Sequence, residues 1–477
     1  MDKQPTIYED YYRITEELVK THGPYTILLY QVGAFYEVYA EPNPRSGQLE
    51  KSQIVEFARI CQLNISNDKT DQLTNKKTTH VMAGFRDYCL DKYLEILMAN
   101  GMTTVVYNQN KEGKKITREF YKTFSQGTYI SYDTEQSSRM NNQIMCIWLD
   151  TYTKQSNKQI IYGLANTDIY TGESNLFEHD TQYIVNPTTF DELERRVSTV
   201  QPSEIILIST LSKEETHTAI QYAGIKTSHI HTILIQDQTD PNAEKAKKCA
   251  KQVYIHEMIT TTYGDESYQI CQEFQQYTYA TQAFCYLLHF MQERNPDLLQ
   301  KIAFPTFINS ANRMILANHT LSQLNIIDTE QGKGTFSSVT SFLNKCNSPM
   351  GRRAFKRQIT QPTFDEKWLT QEYHMIEILL DQPPILELIP NLRKQIAQIR
   401  DLEKISRQIV HNKMYPSSIA TLYTSIQRIR HIAILIQDLP HEFQQYLTTS
   451  PIEDISIGLL DFIDKTVLVD KCRNTTD

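Results

Sequence analysis

The chain has 477 residues, which at about 150 residues per domain sets an expectation of three domains. Lys and Arg number 48 against 56 Asp and Glu, so the net charge is −8. That excludes a uniformly basic nucleic-acid binder but leaves room for a local positive face, since only the contacting surface must be positive. Hydrophobic residues at 40% and charged residues at 22% fit a globular protein with substantial cores.

No run of about 18 apolar residues occurs and the N-terminus MDKQPTIYED has no apolar signal core, so no membrane span or secretion is expected. The eight cysteines form no C-x-x-C pair and none sits at zinc-finger spacing to a histidine. The expectation is an intracellular, reducing compartment in which the thiols pack.

The first stretch reads as mixed α/β. In YEDYYRITEELVKTHG, Tyr8, Tyr12, Thr15 and Leu18 share a helical stripe, and Gly23 followed by Pro24 ends it. The apolar run YTILLYQV predicts a strand, VMAGF a second, RDYCLDKYLEILMAN a helix and MTTVVYNQ a third strand. The charged piece KEGKKITREFYK leads to QGTYIS, and polar residues 131–142 read as a linker. The second stretch opens with QIMCIWLD and KQIIYGLANTDIYTGE, a hairpin-compatible pair. The helical TTFDELERRVSTV and the buried strand SEIILIS follow, and the alternation predicts a small α/β domain. Residues 237–249 read as a second polar, turn-rich piece.

Strand signals fade from about residue 265, and an all-helical part is expected to the end. ESYQICQEFQQYTYATQAFCYLLHFMQE reads as one long helix. NSPMGRRAFKRQI predicts another, with Ser348 as N-cap and Pro349 in the first turn.

One short piece needs a further reason. VGAFYEVY places Phe35, Tyr36 and Glu37 directly after Gly33 and Ala34. A buried strand explains the rings but not the carboxylate; a surface explains the carboxylate but not the rings. On an edge strand one ring packs on the core, the bland reading for the motif alone. By alternation along a strand, Tyr36 faces away from Phe35 and Glu37 and is read as core. The basic run Lys111, Lys114, Lys115, Arg118 and Lys122 reads either as a solvated hairpin or as contacts to phosphate. Arg352, Arg353, Lys356 and Arg357 open a helix, where a structural or interdomain role is the better reading.

The ordered set of motifs resembles the MutS family of DNA mismatch repair proteins. Gly33-Ala34-Phe35-Tyr36-Glu37 is similar to its G-x-F-Y-E, Val81-Met82-Ala83-Gly84 to a P-M-A-G-like segment, and Ser125-Gln126-Gly127-Thr128 to a T-P-G-T-like element. PSEIIL and its strand pair look like the connector domain. NRMILANHTLSQLNII, GTFSSVTSFLNKCNSPMGRRAFKRQITQP and IRDLEKISRQI look like the helical core, or lever. The QVGAFYE version is similar to the branch found in giant viruses and octocoral mitochondria, whose members can carry a C-terminal nuclease.

The resemblance implies a multidomain α/β plus all-α chain. Residues 1–130 would form a mixed α/β mismatch-recognition domain, 143–262 a ribonuclease H-like α/β connector, and 266–477 a helical core/lever. It implies that Phe35 wedges into the minor groove at a mispair, that Glu37 bonds the same base, and that Gly33, Lys111, Lys114, Lys115 and Arg118 complete the DNA-binding set. The implied partners are mismatched double-stranded DNA, a second copy in the full-length protein and a MutL-like repair protein.

Family members use ATP and Mg in a C-terminal ATPase. No Walker motif occurs here, since EQGKGTFSS lacks the G-x-x-x-x-G-K-[ST] frame. No cofactor is therefore expected on these residues. The expectation is a chain truncated before clamp and ATPase: a fragment, a split reading frame, or a variant relying on a partner. Two alternatives stand beside mismatch binding: a scaffold for bent or branched DNA, and a metal-dependent nuclease using Asp150, Asp168 and Glu173.

Overall fold

The computed structural model describes residues 6–43, 45–67, 80–112, 115–130, 141–225, 229–265, 267, 272–308, 314, 320–328, 334–381, 383–437, 439–447 and 450–473. The expected linker at 131–142 falls almost wholly outside them.

The first unit holds α1 (Ile7–His22), β1 (Thr26–Val32), β2 (Phe35–Pro42), β3 (Leu49–Glu50), α2 (Ile54–Cys61), β4 (Ser66–Asn67), β5 (Val81–Arg86), α3 (Leu90–Ala99), β6 (Thr103–Glu112) and β7 (Lys115–Phe124). The sheet order is β4-β5-β2-β1-β6-β7, with β3 on β2 and only β1–β6 parallel. Thr6 and Glu9 form a capping box at the start of α1, and Gly23 ends the helix with φ +93°.

The buried stripe of α1 is rotated from the one expected. Tyr11, Ile14 and Thr15 are buried, whereas Tyr8, Tyr12 and Leu18 flank them. Tyr11 is central because it meets both Tyr30 and Tyr39, at ring distances of 5.7 and 5.2 Å. Tyr36 and Phe85 are cross-strand partners on the other face, where α2 and α3 pack through Phe57 and Tyr93.

The second unit holds β8 (Gln143–Lys154), β9 (Asn157–Asp168), β10 (Ser174–Gln182), α4 (Asp191–Val200), β11 (Glu204–Ser209), α5 (Lys213–Tyr222), β12 (Ile230–Leu234), α6 (Pro241–Cys249) and α7 (Gln252–Tyr263). Strands β8, β9 and β10 form an antiparallel meander, and β11 and β12 add in parallel beside β8. Alternation along β8 serves two cores. Ile144, Cys146 and Trp148 face α6, α7 and a long helix, Thr278–Arg294, while Met145, Ile147 and Leu149 face α4 and α5. A sheet covered on both faces needs the continuous apolar runs that the sequence shows.

Four expectations change here. The turn-rich reading of 237–249 gives way to α6, capped by Asp240, with Ala243, Ala246 and Cys249 buried. The single long helix breaks at Tyr277, between a short turn at Glu273–Gln276 and Thr278–Arg294. The boundary near 265 cuts through one packed core, because Thr278–Arg294 lies on β8 and β9, and Glu178 accepts from Tyr279 N and Ala280 N at 2.7 and 2.9 Å. A short strand β13 (Thr306–Phe307) then pairs with β10, within the part expected to be all helix.

The remaining described residues are helical. Ser348 caps Pro349–Thr360 by accepting from Gly351 N, as its sequence predicts. The longest helix, Pro416–Ile436, packs against Ser450–Thr466 through Ile426, Leu460 and Ile463. Arg407 joins this unit to the second by donating to three carbonyls: Gln300 O at 2.6 Å, Leu298 O at 2.9 Å and Ile169 O at 3.3 Å. Among the described residues, no helix is long and apolar enough to cross a membrane.

Candidate nucleic-acid interface

The β1–β2 hairpin turns on two residues, Gly33 and Ala34, between the paired Val32 and Phe35. Gly33 has φ +61°, and Ala34 is not among the positive-φ residues, the pattern of a turn with glycine at its first central position. A Cβ on Gly33 would meet nothing within 4 Å. The glycine is therefore required by backbone conformation rather than by space.

The turn is tied down from both sides. Gly33 N donates to Gln109 Oε1 at 2.9 Å, and Gln109 N donates to Gln31 Oε1 at 2.8 Å. Asp87 N donates to Ala34 O at 2.9 Å, and Arg118 Nε to Gln31 O at 2.8 Å. These bonds fix where the next side chain emerges.

That side chain is Phe35, 40% exposed at the first position of β2. Its register partner is Arg86, whose guanidinium lies 5.8 Å from the ring centroid. Tyr36 turns inward, is 5% exposed, and donates its hydroxyl to Asn108 Oδ1 at 2.7 Å. Glu37 returns to the face of Phe35, half-buried, and accepts a hydrogen bond from the Tyr39 hydroxyl. The mixture of rings and carboxylate is thus two faces of one strand, with a presented ring and a held carboxylate on the same side.

The basic set divides. Lys111 is exposed near the end of β6, Lys114 lies outside the described residues, and for Lys115 only the backbone in β7 is described. Arg118 reaches from β7 to β1. It is partly buried, with its guanidinium 5.0 Å from the Tyr30 ring centroid and its Nε committed to Gln31 O. Lys122 is paired with Asp297 at 2.6 Å and directed at the second unit. Arg353 bonds Asp401 and Glu403, and Lys356 donates to Gln201 Oε1 at 2.6 Å, which are structural and interdomain contacts as read.

Sequence reasoning missed Arg86, Gln31 and Gln109. No local pattern marks them, because their importance comes from strand register. The Ser125–Thr128 element has a different task from the hairpin. Ser125 Oγ and Gly127 N both donate to Glu204 Oε2, at 2.6 and 3.0 Å, across the seam between the first two units. A Cβ on Gly127 would lie 2.7 Å from that same oxygen, so only glycine fits.

The carboxylates considered for metal chemistry do not converge. Asp150 pairs with Ile161 and Asp168 with Gln143, well separated along the β8–β9 ladder and roughly 23 Å apart at strand rise. Asp150 accepts from Thr210 Oγ1 at 2.5 Å. Asp168 is buried, accepts from Asn142 N and Tyr170 N, and is pushed up to about 6 by burial. Among the described residues, no group of three or more His, Cys, Asp or Glu could hold a metal ion.

A family model described as MutS domain I matches residues 16–133, and one described as MutS domain III matches residues 319–477. The chain belongs to the MutS family. It is 24% identical over 460 residues to a mutS homolog of the giant virus Acanthamoeba polyphaga mimivirus, named as a DNA mismatch repair protein, which covers 92% of this chain and 40% of that protein. It is also 24% identical over 434 residues to the DNA mismatch repair protein MutS of Fusobacterium nucleatum, covering 90% of this chain and 42% of that protein. With the MutS of Petrotoga mobilis the identity is 24% over 469 residues, or 97% of this chain and 47% of the relative. The chain thus spans less than half the length of these curated relatives. The exposed Phe35 lies inside the stretch matched to MutS domain I.

Proposed function

We propose that this chain is the DNA-sensing part of a mismatch repair protein, with Phe35 as a wedge at deformable mispairs. The observation that carries the reading is the exposed ring at the end of a turn tied by backbone and glutamine hydrogen bonds. A mispair is weakly stacked, so the duplex kinks there at lower cost than at a paired step. A ring entering the minor groove stacks on the loosened base and offsets an unstacking cost of a few kcal/mol. A ring on a loose loop would lose part of that gain to ordering; this one is already placed.

On this reading Glu37 contacts the same base and penalises ordinary duplex electrostatically, and Gly33 sets the turn. Lys111, Lys114 and Lys115 contact phosphate from the neighbouring β6–β7 hairpin. Residues 1–130 form the recognition domain. The connector runs from 143 to about 308, further than sequence spacing indicates, and its meander followed by two parallel strands supports a ribonuclease H-like fold. The helical remainder is the core/lever. A homodimer, a MutL-like partner and ATP-driven steps extend the proposal to the longer relatives.

The test is Phe35→Ala in a fluorescence anisotropy titration with G·T and fully paired duplexes. Base–aromatic stacking is worth about 1–3 kcal/mol, so mismatch affinity should fall by roughly one to two decades while weak, salt-sensitive binding persists. Equal discrimination by wild type and variant removes the wedge.

A further inference from the structure

Strand order puts Phe35 between two sources of positive charge. In the run β5-β2-β1-β6, Tyr30 on β1 is paired with Glu37 on β2 and with Tyr107 on β6. Alternation from those pairs sets Phe35, Glu37, Gln109 and Lys111 on one side of the sheet. Lys111 is exposed there, on the β6 side of the ring, and Lys115 follows on β7. On the other side the neighbour of β2 is β5, and its residue opposite Phe35 is Arg86.

Arg86 is exposed, at the last position of β5. Its guanidinium lies 5.8 Å from the Phe35 ring centroid, and among the described residues it has no acidic partner. The acids within reach are engaged elsewhere. Asp87 accepts from Tyr88 N at 2.9 Å, and Glu37, the diagonal neighbour on β2, accepts from the Tyr39 hydroxyl. The backbone fixes the pair of side chains to one another. The residue after Arg86 donates to the residue before Phe35, Asp87 N to Ala34 O at 2.9 Å. A solvent-facing guanidinium is thereby held at a defined place beside the presented ring.

We propose that Arg86 contacts a DNA phosphate on the opposite side of the minor groove from Lys111, an inference that rests on the reading of Phe35 as the wedge. A ring in the minor groove has a phosphate backbone on each side, so contacts from β6 and β7 alone would hold one strand only. Strands β5 and β6 are three positions apart in the sheet, roughly 14 Å at ordinary strand spacing. That span straddles a groove about 6 Å wide. A guanidinium suits the place, because its planar face can lie against the ring while its edge donates two parallel bonds to a phosphate. Phosphate contacts carry no sequence information. Arg86 therefore sets affinity for any duplex, while Phe35 and Glu37 set discrimination.

The experiment is anisotropy titration of the whole chain with G·T and fully paired duplexes, at salt concentrations from about 0.05 to about 0.2 M. Arg86→Gln should bind both duplexes more weakly and lower the slope of log affinity against log salt by about 0.9, the counterion release of one phosphate. Across that range the disadvantage of the variant should shrink by roughly 3.5-fold. Arg86→Lys keeps the charge and should keep the slope, whereas Phe35→Ala should lose discrimination with the slope intact. A slope for Arg86→Gln equal to that of wild type overturns the inference and leaves the wedge standing. So does a loss confined to the mismatched duplex, which would mean that Arg86 only holds the ring. Wild-type protein with no preference for the G·T duplex overturns the wedge, and this inference with it.

Discussion

The hairpin tip and the seam behind it are built from opposite materials. At the tip one ring stands in solvent, and the bonds that hold it are mostly neutral contacts from backbone and glutamine. At the seam Glu204 is 1% exposed, receives three donors and lies near an equally buried arginine. The tip can change its side chain without touching a core, whereas the seam cannot lose one partner without stranding another. On the proposed reading binding and folding are separated along one sheet: β1–β2 would meet DNA at one end, and the segment following β7 fixes the sheet to its neighbour. Substitutions at the two places should fail in different assays.

The largest expected effect is at the seam. Glu204→Ala removes the shared acceptor and leaves Arg294 buried without a counter-charge, and breaking a buried pair this way costs about 3–5 kcal/mol. Urea denaturation should show that loss, with Glu204→Gln losing less because it still accepts hydrogen bonds. Phe35→Ala in the same assay should stay within about 0.5 kcal/mol of wild type, as surface changes do. If the two variants unfold alike, the separation of tasks is wrong.

Acid should weaken the seams before it affects the tip. His22 and His411 are each pushed down to about 3, mainly by burial. Arg407, Asp297, Lys413 and Lys122 face His411, and Arg294, His231, Lys245 and Glu293 face His22. Each ring is neutral when folded and takes a proton on unfolding below about pH 6.5, so stability falls as pH drops from there toward 3.

Asp168 opposes them. Its folded value of about 6 exceeds its unfolded one, so it adds stability as pH falls from 6 toward 4. Glu204, held at about 2 because His231, Arg294 and Ser125 outweigh burial, stays ionised throughout this window. Two histidines against one carboxyl predict a net loss of about 1–3 kcal/mol between pH 7 and pH 5. Denaturation midpoints across that range measure it, and His411→Phe should flatten the slope. A midpoint that rises on acidification would overturn the assignment.

The legible parts of this chain were those carried by local pattern. Thr26–Val32 announces a strand and Ser348-Pro349 announces a helix start. The pattern failed where partners decide. Thr278–Arg294 is apolar around most of its circumference, so nothing in it says which unit it covers, and it covers the second sheet. Helix α6 hides its buried stripe in Ala243, Ala246 and Cys249, small residues among lysines. Arg86 opposite Phe35 and Arg118 against Tyr30 follow from register, which composition does not carry.

The smallest expected effect sharpens the tip itself. Glu37 shares the face of Phe35, and its negative charge near duplex phosphates should penalise paired DNA at some loss of overall affinity. The carboxylate also accepts from Tyr39, which is 2% exposed. Glu37→Ala would remove that acceptor from a buried hydroxyl and confuse binding with folding. Glu37→Gln keeps an acceptor and removes only the charge. It should raise paired-duplex affinity a few-fold at about 0.01 M salt, where charges act over roughly 30 Å, and hardly at all at about 1 M, where they act over roughly 3 Å. Mismatch affinity should change less, so discrimination narrows. Anisotropy titrations at the two salt concentrations measure both quantities; weaker paired-duplex binding by Glu37→Gln would mean that the carboxylate serves the hairpin and not its selectivity.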